Sequence, residues 1–470
     1  MTRYPTSYRS LVLTKAGLGL AYLWFCWDFL RINQAAWKNL HALIPGPAQE
    51  VICSDPFLNH IFAQLLLFIS QPLFIWSYFL LSPIAVGLYV WGRHRWLQIV
   101  VGLWIWLSMA AMSAQASIFM STADFWLAWC FILHVVAGLV TPRGEWNISQ
   151  PAFEKDLWRK NPVIHSEYAL LIVILQFTVY FYAGLNKLIH GWGEWTSGVA
   201  IQNLSYDPSM RDFARDVPIP YFISLVLCYV TLAQRLIVPF GFFIMRYRGW
   251  AVLILGAMHV GYDLIMQVAI FPLIGVSCLL LIVPPRSLAL PLFSLRSNRS
   301  TRRKTSLKSV APSRATLPQK VVMAVIVGLL LVEPAIMSGY SLNPPYWNVK
   351  LATQLHWIMF ADGGVQSKDR FKIAVKVHDP ATGLVGYNEI TDLPLQYLPE
   401  TWRTRLYVKF ILLQATRAHE ASSAQVEATG YLENYIKTAV FLYGTEIPRQ
   451  PPAEQLLLAI DPYDKKSFPP

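Results

Sequence analysis

The chain has 470 residues, 55% of them hydrophobic and 14% charged, and its mean hydropathy is +0.40. A soluble domain carries about a quarter charged residues, so this balance excludes an ordinary soluble protein and requires lipid as solvent along much of the chain. A net charge of +12 would point a soluble protein toward nucleic acid. Here much of the excess falls in one loop, and it reads as a topology signal with no nucleic-acid partner.

The segment Met1–Lys15 carries Arg3, Arg9 and Lys15 and no acid. No small-residue cleavage site follows it, so it leads into an uncleaved first transmembrane helix over Leu11–Leu30. About 20 apolar residues cross a hydrocarbon core. A polar loop with Pro45, Pro47, Glu50 and Asp55 comes next, and Phe57–Ile69 fits an amphipathic helix lying in the interface. Further spans are expected over Leu73–Tyr89, Leu97–Ser113, Phe125–Val140, Tyr168–Leu188, Tyr221–Phe243 and Val321–Met337. The stretch Trp250–Pro285 is too long for one crossing and long enough for two short ones.

Basic loops test this count, because they collect on the cytoplasmic side. Arg93 and Arg95, Arg246 and Arg248, and the acid-free loop Arg286–Lys320 fall on one side with the N-terminus only if Trp250–Pro285 crosses twice, with a turn near Met266–Pro272. One crossing fewer would put the most basic loop outside. The expected architecture is an all-α polytopic membrane bundle of about nine transmembrane helices with a small α+β extramembrane C-terminal domain. The N-terminus is expected in the cytoplasm and the C-terminal domain outside it.

The loop Ser297–Ser313 is rich in Ser, Thr, Arg and Lys and reads as a solvated segment near anionic headgroups. In the tail, Phe371, Ile373, Val375 and Val377 alternate with polar residues as in a half-buried strand. The turn Asp379–Gly383 makes Leu384–Ile390 the partner strand. Trp402–Arg417 and Ala424–Tyr443 read as amphipathic helices. The domains are thus 1–285 in the membrane, 286–320 as a basic loop, 321–338 as the last helix, and 339–470 as the tail.

Five cysteines occur, Cys26, Cys53, Cys130, Cys228 and Cys278, with no CxxC spacing and none in the tail. They indicate neither a disulfide framework nor a zinc site. The lack of paired cysteines tilts the location toward a bacterial inner membrane.

Ionisable residues inside a span are costly and each raises a functional hypothesis. Lys187 lies near the outer end of the fifth span. Desolvation there disfavours its charge and makes it a better base, whereas snorkelling to the headgroups is the plainer reading. His259 and Asp263 are spaced i, i+4 and so share a helix face. They read as a proton-handling pair or as a hydrogen bond that holds helices together. Glu333 lies inside the last span, with Arg235 and His134 as partners by type only. Arg235 has room to snorkel, and His134 reads as a hydrogen-bonded packing residue. Asp124 suits the start of a helix. No metal site is expected.

Ala183-Gly184-Leu185-Asn186-Lys187-Leu188, followed by Trp192, Trp195, Gly198 and Ala200, resembles a signature of the HTTM (horizontally transferred transmembrane domain) family, related to the membrane region of vitamin K-dependent gamma-carboxylase. Gly17–Leu20 with Asp28, His259 followed by Ile270-Phe271-Pro272-Leu273, and Trp357-Ile358-Met359-Phe360 also fit that pattern. The resemblance implies that Lys187 deprotonates a reduced lipid quinone (menaquinol or vitamin K hydroquinone). His259 and Asp263 would then share its cavity, and Trp192 and Trp195 would lie against the quinone. The segment Ser121–Trp129 lacks the histidine that the carboxylase has there, and the small cysteine-free tail does not match the carboxylase's C-terminal domain. Quinol oxidation or epoxidation is therefore expected, without full carboxylation. The alternative is a non-enzymatic factor that matures, assembles or exports an extracytoplasmic partner through its tail.

Overall fold

The computed structural model describes residues 3–36, 72–115, 122–142, 145–190, 192–204, 211, 213–214, 217, 219–266, 268, 270–284, 316–339, 374–378 and 385–389. The expected interfacial helix 57–69, the Trp357–Phe360 motif, the basic loop 297–313 and the two tail helices lie outside the described residues.

Long apolar helices dominate. In chain order they are α1 (Tyr8–Ala36), α2 (Pro72–Trp91), α3 (Arg95–Gln115) and α4 (Thr122–Val140). Two short helices follow, α5 (Trp146–Ser149) and α6 (Lys155–Lys160), then the long α7 (Glu167–His190). Next come the short α8 (Trp192–Ser197) and α9 (Val199–Leu204), and then α10 (Tyr221–Leu236), α11 (Arg248–Ile265), α12 (Ile270–Leu279) and α13 (Leu317–Gly339). Among the described residues five helical stretches are long and apolar enough to cross a membrane, the fifth running from Tyr221 on through Phe242, and three shorter apolar helices accompany them. The chain has the helices of a multi-pass membrane protein. With 24 residues, α7 is about 36 Å long, more than a bilayer core requires.

The break expected near Met266–Pro272 is present. Met266 turns extended at the end of α11, and α12 starts at Ile270. In α2, Pro83 removes a helical N–H. Beside it Ser82 Oγ donates to the Tyr78 carbonyl and lies 3.0 Å from Tyr22 Oη, which ties α2 to α1.

The core is built around α7. It packs on α4, α10 and α13, while α12 lies against α1, α4, α7 and α11. Tyr8, Leu11, Trp126, Tyr168, Leu171, Leu175 and Tyr180 are all fully buried.

A strand pair unforeseen in the sequence ties the N-terminus down. β1 (Tyr4–Ser7) pairs antiparallel with β2 (Val163–Ser166), just before α7. Arg3 ion-pairs with both Glu145 and Glu167, its Nε 2.6 Å from Glu167 Oε1. Burial opposes the guanidinium charge, but these two acids outweigh it and raise its pKa above the ordinary value. Arg248 lies over the Tyr4 ring at 4.0 Å and donates to the Phe242 carbonyl. Arg95 donates to the Gly138 carbonyl at the end of α4, and Gln319 at the start of α13 donates to the Val140 carbonyl. The N-terminus, the α2–α3 and α10–α11 turns, the end of α4 and the start of α13 thus meet at one end of the bundle, and the basic residues of these turns meet there too.

β3 (Ala374–His378) and β4 (Val385–Glu389) form the expected hairpin in the tail, with Lys376 opposite Tyr387.

Candidate functional site

The site is organised by one face of α7. Tyr180, Gly184 and Lys187 follow at i, i+4 and i+7, so they stack along one stripe of the helix. Each meets a different neighbour.

Tyr180 is fully buried, and its hydroxyl is 2.6 Å from His259 Nε2 on α11. The imidazole is fully buried too, with the Phe271 ring 5.0 Å away and the Trp126 ring 6.1 Å away. Its Nδ1 has no hydrogen-bond partner among the described residues. Gly275 of α12 makes room for the ring, because a Cβ there would overlap the imidazole.

Gly184 brings α7 and α10 together. A Cβ at that position would stand 2.9 Å from the Arg235 Cβ and 3.1 Å from Leu236. Arg235 is 2% exposed, so the snorkelling expected of it does not occur. Its Nη2 donates to Tyr262 Oη at 3.1 Å, and the guanidinium carbon is 5.8 Å from the Tyr262 ring centroid.

Lys187 is 1% exposed, and its Nζ lies 4.7 Å from the centre of the Trp195 ring. Trp195 is buried with Ala200, Ile201, Cys228 and Leu232 in a small cluster under α8 and α9. Gly198 joins those two short helices at φ +84, with the Leu225 backbone 3.0 Å from where a Cβ would stand. A side chain there would be strained by the dihedral and by the contact. Trp192 points the other way and is largely exposed.

The structure therefore brings Lys187 and Trp195 together and buries His259. It does not unite His259 with Asp263. Asp263 is exposed, and its backbone carbonyl accepts a hydrogen bond from Arg211 Nε at 3.1 Å. An i, i+4 spacing leaves two residues about 40° apart around the helix, enough for one to face the core and the other its rim. Glu333 lies on α13, and its side chain is outside the described residues. His134 is the hydrogen-bonded packing residue expected, with Nε2 3.1 Å from Gln98 Oε1. Asp124 stands in the first turn of α4, as expected, and is buried.

Besides Lys187, three cations are buried among the described residues, Lys15, Arg235 and Arg248. By sequence Arg235 has room to snorkel, and Lys15 and Arg248 read as topology charges. Lys15 is 1% exposed, with its Nζ 5.5 Å from the Tyr89 ring and no hydrogen-bond partner among the described residues. Its position seven residues inside α1 was the available signal. Among the described residues no three His, Cys, Asp or Glu side chains gather as a metal site would need. Comparison with family models, with curated proteins and with solved structures returns no match.

Proposed function

We propose that the chain is an HTTM-like membrane protein that oxidises or epoxidises a lipid quinol, with Lys187 as the base. The observation that carries this reading is the position of Lys187. Its amine is removed from water at the end of an apolar helix and lies under an indole ring. A flat, lipid-soluble ring suits a wall of Trp195 and its apolar neighbours. The quinol supplies the electrons and the acidic hydroxyl, and dioxygen accepts the electrons. Lys187 takes the hydroxyl proton, and Trp195 orients the ring. Tyr180 fixes His259 Nε2, leaving His259 Nδ1 to accept or return a proton deeper in the bundle.

The wider frame belongs to the same proposal. About nine crossings, with the N-terminus cytoplasmic and the tail outside, put the basic loops on one side. The meeting of Arg3, Arg95 and Arg248 with the starts of α7 and α13 at one end of the bundle supports it. The membrane would be a bacterial inner membrane. The α+β tail would offer a surface to an extracytoplasmic partner.

The test uses the full chain in nanodiscs, supplied with menaquinol or vitamin K hydroquinone and oxygen. Oxygen uptake and quinone epoxide, followed by mass spectrometry, are expected in the wild type and absent in Lys187→Ala. Turnover unchanged in Lys187→Ala would overturn the role of the base.

The exposure of Asp263 favours a second reading, since it removes one member of the expected relay. In that reading the protein is a non-enzymatic maturation or assembly factor. Deleting residues 345–470 then abolishes capture of the partner in a pull-down, whereas a quinol enzyme keeps its turnover.

A further inference from the structure

Arg235 has no role in the mechanism above, yet it is the costliest side chain in the site. A guanidinium stays charged at any physiological pH. Burying it costs several kcal/mol unless an anion offsets the loss of water. Arg235 is 2% exposed, and among the described residues no carboxylate lies within ion-pairing distance of it. Its Nη2 donates to the Tyr262 hydroxyl, and its Nε has no partner among the described residues.

Its neighbours come from the helices that carry Lys187 and His259. Gly184 lets α7 approach the Cβ of Arg235, and Lys187 follows less than one turn further along that helix. Tyr262, which receives the guanidinium bond, sits on α11 three residues after His259. The imidazole has its own unpartnered nitrogen, Nδ1. Along the contacts of α7, α10 and α11 the bundle thus holds a buried cation and a buried imidazole, each with a nitrogen that has no partner among the described residues.

We propose that Arg235 is the anion-holding residue of this site and binds the ionised oxygen of a phenol- or enol-type ring. This rests on the quinol reading and deepens it. When Lys187 removes the hydroxyl proton, the charge left on the ligand oxygen is met by the Arg235 Nε–H, and Tyr262 braces the guanidinium. Fixed donors aimed at a developing oxyanion in a dry site give the largest electrostatic gain. A flat guanidinium edge fits such an oxygen better than an ammonium does.

The test separates this inference from turnover by using ligands that need no reaction. 2-Hydroxy-1,4-naphthoquinone is an anion at neutral pH, and 2-methoxy-1,4-naphthoquinone is its neutral analogue. Binding of each to the full chain in nanodiscs is measured by equilibrium dialysis against protein-free nanodiscs. The wild type is expected to prefer the anion by about tenfold, the factor to which about 1.4 kcal/mol corresponds. Arg235→Gln should bring the ratio close to one, and Arg235→Lys should keep part of it. A wild-type ratio of one, or a preference that survives in Arg235→Gln, overturns the proposal. The wild-type ratio decides the matter even where Arg235→Gln fails to fold. Failure of quinol turnover with the anion preference intact would sink the quinol reading alone. Turnover with no preference would sink the anion-holding role alone.

Discussion

Lys15 and Lys187 are equally buried, but their regions are built differently. Lys15 lies among long helices. Beside it the Tyr89 and Tyr168 hydroxyls bond to each other at 3.0 Å, and His134 stands edge-on to both rings. Sγ atoms of Cys130 and Cys278 meet at 3.8 Å in the same core. Lys187 lies near the end of α7 against Trp195 of α8, and α8 and α9 are helices of six residues each. Helices that short have little stability of their own and open more readily than long packed ones. Burial alone therefore does not make a site. Lys15 is enclosed by long helices, whereas Lys187 is covered by Trp195 of the short helix α8.

The wall between the two regions is α12. Through Gly275 it touches His259, and through Ser277 it touches α1, where Thr14 Oγ1 donates to the Ser277 carbonyl at 2.7 Å. The largest effect is expected from breaking that wall. Gly275→Leu must displace the imidazole, and overpacking of this kind costs about 1–3 kcal/mol or more. Loss of the monodisperse peak in size-exclusion chromatography is the expected result. A stable, unshifted variant would mean that His259 is not held as described.

A smaller effect of opposite sign sharpens the contrast between the lysines. Lys15→Met removes a buried amine without a hydrogen-bond partner and keeps the volume. Replacing buried charged groups by apolar ones stabilises by about 1–4 kcal/mol in favourable cases. A higher melting temperature with unaltered quinol turnover is expected. If Lys15→Met abolished turnover as Lys187→Ala is expected to, the two regions would be one functional unit and the comparison would break.

The smallest effect concerns Asp263. An exposed side chain away from special features contributes within about 0.5 kcal/mol. Asp263→Asn should change neither thermal stability nor turnover. A variant that folds normally but loses turnover would restore Asp263 to a relay with His259.

Much of the framework was legible in the residues. Runs of apolar side chains located α2, α3, α4 and α7 within a few residues of their observed ends, because in lipid only a helix or a closed barrel satisfies its backbone, while α1 runs six residues past the expected Leu30. The need to keep basic loops on one side located the break after Ile265, and period-two alternation located β3. Lys187 stood out because a charge is rare within such a span.

The sequence by itself fixed where the apolar helices run and which ionisable residues they carry. Which side of each helix faces protein was decided only by the tertiary structure. In a soluble helix a polar face marks the outside, but in a membrane both lipid-facing and protein-facing surfaces are apolar, so that signal is lost. Tyr180 meeting His259 across 79 residues, Arg235 turned inward, Lys15 enclosed and Asp263 left at the rim are therefore all tertiary facts. The pairing of β1 with β2 is another, since strands of four residues separated by most of the membrane domain leave no local pattern to read.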